Sequence, residues 1–190
     1  MLSKKTLRVQ MLTELKAMSL EQHKERSKEI VRRLQLTSKY QFAKTIAVTM
    51  SNFPEVETRR LIESAWQQGK TIVVPKSDPQ KKQMTFYKLT SFDDLEVVFA
   101  GIEEPIPSRC EKIAFADIEL VIVPGVVFNE QGFRIGFGGG FYDRFLAEFR
   151  GPTIALAFDE QIIQKIPVDK YDLPVQQILT DKRTVNCSEV

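Results

Sequence analysis

Five of the chain's nine glycines fall within nine residues, Gly132, Gly136, Gly138, Gly139 and Gly140, in the stretch GFRIGFGGGFYDRF. Bare glycine lets backbone N–H groups approach an anion with no Cβ in the way, and a helix starting just beyond adds partial positive charge, so the stretch suits a phosphate. Arg134 and Arg144 would add cationic contacts. The plainer alternative is a turn whose glycines only allow close packing. Neither common nucleotide fingerprint is present. Counting G-x-G-x-x-G from Gly136 and Gly138 places Phe141 at the third glycine, and no Lys-Ser or Lys-Thr follows as the Walker pattern demands.

Carboxylates stand nearby in sequence. Asp143 directly follows the glycine stretch, and Asp169 and Asp172 lie in IPVDKYDLP. Carboxylates beside a polyphosphate are the usual holders of magnesium, although each Asp would equally serve as a helix or turn cap. In FPEVETRRLIE, residues 53–63, a proline turn after a strand would carry Glu55 toward a cleft above a sheet; alternatively Glu55 and Glu57 only favour the positive end of the following helix. The single histidine, His23, sits among charged neighbours in a helical stretch and is expected on the surface, which leaves Ser-His-Asp and Cys-His chemistry without a base.

The elements that must hold these groups read as alternating strands and helices. Leu7, Met11 and Leu15 recur at helical spacing, and Ser19 with Gln22 forms a capping-box signature ahead of Leu20, Ile30, Val31 and Leu34, so the first 35 residues predict two helices or one bent one. Strands are expected at 45–51, 71–75, 84–87, 119–125 and 153–158, with helices at 58–68 and from about 140 to 149. Residues 76–83, KSDPQKKQ, read as a polar loop. Apolar strands without polar alternation are buried on both faces, which predicts a single α/β domain: an open, mainly parallel sheet, helices on both faces and an N-terminal helical segment. The glycine stretch then lies at the carboxyl end of a strand, where such sheets bind ligands.

Composition narrows the classes. The 190 residues carry a net charge of only +2, which does not call for nucleic acid or a membrane, although residues 1–50 hold eleven Lys and Arg against four Glu. Cys110 and Cys187 are far apart and in no metal-ligand spacing. The first residues lack a signal peptide's apolar core and no apolar run approaches ~18 residues, so the expectation is a cytoplasmic protein. A monomer with no nucleic-acid or membrane partner is expected as well.

KKTLR at 4–8, PEVET at 54–58, VPGVVFNEQGFRIGFGGGFYDRF at 123–145 and ALAFDEQI at 155–162 occur in one order over nearly the whole chain. Together they resemble the 5-formyltetrahydrofolate cyclo-ligase family, also called 5,10-methenyltetrahydrofolate synthetase. The resemblance implies an ATP- and Mg2+-dependent ligase that closes 5-formyltetrahydrofolate, with or without a polyglutamate tail, to 5,10-methenyltetrahydrofolate. ADP and phosphate would be released through a phosphorylated formyl intermediate. It implies nucleotide contacts at Lys4, Lys5, Thr6, Leu7 and Arg8 and at Arg134, Ile135, Gly136, Phe137, Gly138, Gly139, Gly140, Phe141 and Tyr142, with Lys4 and Arg134 as catalytic cations. Folate contacts are implied at Met50, Glu55 and residues 137–141, and metal carboxylates at Asp143 and Asp172. Many members carry Arg where this chain has Phe137, so a cation is missing there; Arg134, Arg144 or Lys76 would have to replace it. Two other readings stay open: a sugar-phosphate isomerase or CoA-transferase-like enzyme on a similar sheet, and a non-catalytic nucleotide- or folate-binding regulator.

Overall fold

The computed structural model describes residues 2–187. Ser3 accepts a hydrogen bond from the Thr6 amide and starts α1 (Lys4–Lys16); the expected Ser19–Gln22 capping box closes in both directions and starts α2 (Leu20–Gln35). Two separate helices therefore form, and a short α3 (Ser38–Phe42) leads into β1 (Thr45–Ala47). The chain continues through α4 (Arg59–Gln67), β2 (Thr71–Asp78), β3 (Gln83–Leu89), β4 (Leu95–Val97), β5 (Glu103–Pro105), β6 (Lys112–Ile113) and β7 (Leu120–Ile122). It then forms β8 (Val127–Phe128), β9 (Arg134–Ile135), α5 (Phe141–Glu148), β10 (Thr153–Leu156), β11 (Gln177–Leu179) and β12 (Thr184–Asn186).

Eight strands form the main sheet in the order β12-β11-β10-β7-β1-β2-β3-β6. The central pairs from β11 to β2 are parallel, while β12, β3 and β6 add antiparallel edges. Alternate side chains of each strand point to opposite faces and build two cores. Ile46, Ile72, Leu120, Ile122 and Ile154 pack with Leu15, Leu34 and Leu61 of α1, α2 and α4. Ala47, Val73, Val121 and Ala155 pack on the other side with Phe145, Leu146 and Phe149 from α5 and its end. The small residues on this second face leave room for the aromatic side chains of α5, and Phe145 lies 5.0 Å from Phe86 and 4.8 Å from Phe115 between ring centroids.

One sequence expectation is corrected. Residues 76–83 are not a loop throughout: β2 and β3 stay paired from Ile72↔Leu89 out to Asp78↔Gln83, so only the tip turns. The polar side chains of KSD hide the strand because this end of the hairpin rises beyond the core, where neither face must be apolar. The extra strands are two or three residues long, too short to show a period.

Candidate active site

The sheet winds in two directions from its centre. From β1 the chain crosses through α4 to β2 on one face, and from β7 it crosses through α5 to β10 on the other. The carboxyl ends of the neighbouring strands β1 and β7 therefore diverge and open a crevice, the position where open parallel sheets take ligands. A cleft of about 800 Å3 occupies it. Met50 and Glu55 follow β1, Pro124 follows β7, and the upper half of β2 with the β4–β5 hairpin forms one wall. The β8–β9 hairpin and the glycine turn form the opposite wall, completed by Lys4 and Arg8 of α1.

At the glycine end, Arg8 donates from Nε to the carbonyl of Gly136 at 2.6 Å and its guanidinium lies beside Gly138. Gly138 has φ 102°, a conformation open to glycine, and an added Cβ would stand 3.6 Å from Arg8 Nη2. Two guanidinium groups therefore lie against the turn, Arg8 from α1 and Arg144 from α5, while Lys76 stands on the opposite wall. Arg144 donates back to the carbonyls of Gly139 and Gly140, and Lys76 pairs with Glu96 at 2.8 Å and Glu104 at 3.6 Å. Phe137 itself is 57% exposed on the rim.

Below the turn lies a buried polar cluster. Arg134 donates from Nη1 to the Leu173 carbonyl at 3.0 Å and pairs through Nη2 with Asp143 at 3.2 Å. Burial pulls its pKa down, against the neighbouring Asp143 charge that raises it. Among the described residues, Arg134 Nε and the Tyr142 hydroxyl are buried without a protein partner, and burial pushes the Tyr142 phenol up. Unpartnered buried donors are uncommon in native proteins, and these two lie beneath the lining of the cleft. Lys4 reaches across to Asp169 at 2.7 Å and to Asp172; burial works against its charge, but the hydrogen bonds to both carboxylates outweigh it and raise its pKa.

At the other end, the turn after β1 presents Glu55. Its Oε2 accepts from the Asn52 amide at 2.9 Å while its own amide donates to the Asn52 carbonyl at 2.8 Å, which fixes the side chain. Burial raises the Glu55 carboxyl, opposed by the Asn52 amide. Met50 is buried beneath, and the exposed side chains of Phe99 and Ile102 supply an apolar border. This border was not legible beforehand, because EVVFAGIEEP has no period, although Gly101 between apolar residues is the sort of turn signal a hairpin carries.

Lys4, Arg8, Met50, Glu55, residues 134–142, Asp143 and Asp172 all line this one cleft. Lys5, Thr6 and Leu7 do not: α1 turns Lys5 and Thr6 to solvent and Leu7 onto the core, since only positions one turn apart share a face. His23 departs from its expected surface position. It is 9% exposed, lies between the rings of Phe53 and Phe158, and meets the Glu55 carbonyl at 2.7 Å. Polar neighbours misled because they occupy the outer face of α2, whereas His23 shares the inner face with Ser27, Ile30 and Leu34.

Fold and site together define an open α/β protein with a crevice lined by a glycine turn, by Lys4, Arg8 and Arg134 with neighbouring carboxylates, and by Glu55 with apolar borders. The sequence model of the 5-formyltetrahydrofolate cyclo-ligase family matches residues 1–181, and the chain belongs to that family of ligases. It is similar to a mouse 5-formyltetrahydrofolate cyclo-ligase, with 31% identity over 188 residues and 93% of each chain covered. An Escherichia coli K12 protein of the same name is 29% identical, with 88% of this chain and 94% of the relative covered. The solved structure of Aquifex aeolicus 5,10-methenyltetrahydrofolate synthetase superposes with a TM-score of 0.85 at 27% identity, covering 98% of this chain and 94% of that one.

Proposed function

We propose that the chain closes 5-formyltetrahydrofolate to 5,10-methenyltetrahydrofolate at the expense of ATP, with magnesium, as a soluble enzyme of the cytoplasm. The observation that carries this reading is that one cleft holds both a glycine turn backed by Arg8, with Lys4 on the same lining, and a fixed carboxyl, Glu55, facing the same space. ATP supplies a phosphoryl group that turns the formyl oxygen from oxide, a poor leaving group, into phosphate, after which the neighbouring folate nitrogen bonds to the formyl carbon as phosphate departs.

The residues fit both groups. Among the described residues Arg134 Nε and the Tyr142 hydroxyl are donors with no protein partner, and a Cβ at Gly138 would fill space beside Arg8. Asp143 and Asp172, ion-paired with Arg134 and Lys4, would supply carboxylates for magnesium; among the described residues no group of three or more Asp, Glu, Cys or His side chains is arranged to hold a metal ion, so phosphate and water would complete its shell. This chain's task is then positioning and charge. Arg8 and Lys4 hold the phosphates, Arg134 offsets charge from below, and Glu55 accepts hydrogen bonds from the amino groups of the pterin. Purified protein mixed with 5-formyltetrahydrofolate and magnesium should form methenyltetrahydrofolate, read by absorbance, only when ATP is added and with equal ADP. A folded sample that forms none would overturn the reading.

A further inference from the structure

The turn that presents Glu55 leans on α2 through two bonds made from one face of that helix. His23 Nε2 lies 2.7 Å from the Glu55 carbonyl, and one turn later Ser27 Oγ accepts from the Glu57 amide at 3.1 Å. A carbonyl only accepts, so His23 carries its proton on Nε2 and donates. The imidazole is wedged by Phe53 and Phe158, with ring centroids 5.1 and 5.4 Å away, and His23 is the one partner of the Glu55 carbonyl among the described residues. On the front of the same turn, Asn52 holds the carboxyl. Glu55 is thus gripped at its carbonyl from behind and at its carboxyl from its own turn.

We propose that His23, with Ser27, is a positioning residue for substrate: it touches no ligand but fixes the backbone from which Glu55 enters the cleft, and so sets folate affinity without acting on the nucleotide. The proposal rests on the folate-contact reading of Glu55. Losing the donor would leave the partly buried Glu55 carbonyl unpaired, and the turn would relax toward solvent.

Steady-state kinetics on full-length variants tests it. H23L is expected to raise the KM for 5-formyltetrahydrofolate about five- to tenfold, the size of one lost hydrogen bond, and to leave the KM for ATP within about twofold. H23Q, which keeps a donor near the Nε2 position, should hold folate KM within about twofold of the parent, and S27A should raise it about threefold. In an E55Q background, H23L should add nothing further, because its effect runs through the Glu55 side chain. Should H23L fail to fold, S27A and its E55Q combination carry the same comparison. Folate KM unchanged in folded H23L or S27A while E55Q raises it, or equal rises for both substrates, would overturn the positioning role. Unchanged folate KM in E55Q itself would overturn the Glu55 reading on which it rests.

Discussion

Two carboxyls in the cleft answer to different partners, and their expected phenotypes separate. Burial raises the Glu55 carboxyl, so it gains its proton at a higher pH than an ordinary glutamate and loses its charge while free carboxylates in solution still keep theirs. If the charged form receives the amino groups of the pterin, folate affinity falls as pH drops through that raised value, in a range where ordinary surface glutamates are still ionised. E55Q should weaken folate binding roughly tenfold or more at neutral pH, as expected for losing a charged hydrogen-bond acceptor, and should flatten the pH profile; calorimetric titration across pH checks both. Asp143 differs because it pairs with the buried Arg134. D143N should raise the magnesium needed for half-maximal turnover while folate affinity holds. It should also cost about 1–3 kcal/mol of stability, since it removes the charge of the one carboxylate that, among the described residues, pairs with the buried Arg134 guanidinium. A variant with unchanged magnesium dependence and a lowered Tm would leave Asp143 with the structural task alone.

At the scale of elements, α1 and the glycine turn act as one unit. The sequence shows both pieces but not their contact, which spans 128 positions and is made by the single bond from Arg8 to Gly136. Helical periodicity could have separated Lys4 and Arg8, which face the cleft, from Lys5 and Thr6, which do not; the motif alone makes all five look equal. The paired end of the β2–β3 hairpin was illegible for a related reason, since its residues answer to backbone hydrogen bonding and not to burial. The turn itself makes a sharp expectation. Gly138→Val demands a β-branched residue at φ 102° and sets its side chain toward Arg8. It should cost on the order of 1–3 kcal/mol in backbone strain, and nucleotide affinity by calorimetry should fall more than tenfold. Parent-like ATP affinity would show that the turn does not cradle phosphate.

For the whole molecule, the two cores carry different responsibilities. The larger one joins α1, α2 and α4 to the sheet and was foreseeable from helical spacing of Leu7, Met11, Leu15, Ile30 and Leu34. The second depends on a match between small strand residues, Ala47, Val73 and Ala155, and the aromatic face of α5, and the first two stand so far from α5 along the chain that no local pattern announces the pairing. Because α5 starts directly after the glycine turn, the second core anchors the cradle. Phe145→Ala removes the ring at its centre, which touches Phe86, Phe115, Tyr142 and Phe149. The loss should be about 3–5 kcal/mol, a fall in Tm on the order of 10 °C. A destabilisation of equal size in the larger core, Leu61→Ala beneath α4, lies away from the turn. At a temperature where both variants are folded, Phe145→Ala is expected to lose ATP affinity and Leu61→Ala to keep it. Equal ATP affinities in the two variants would mean that the cradle holds its shape without α5, and that Arg8 from α1 suffices to fix it.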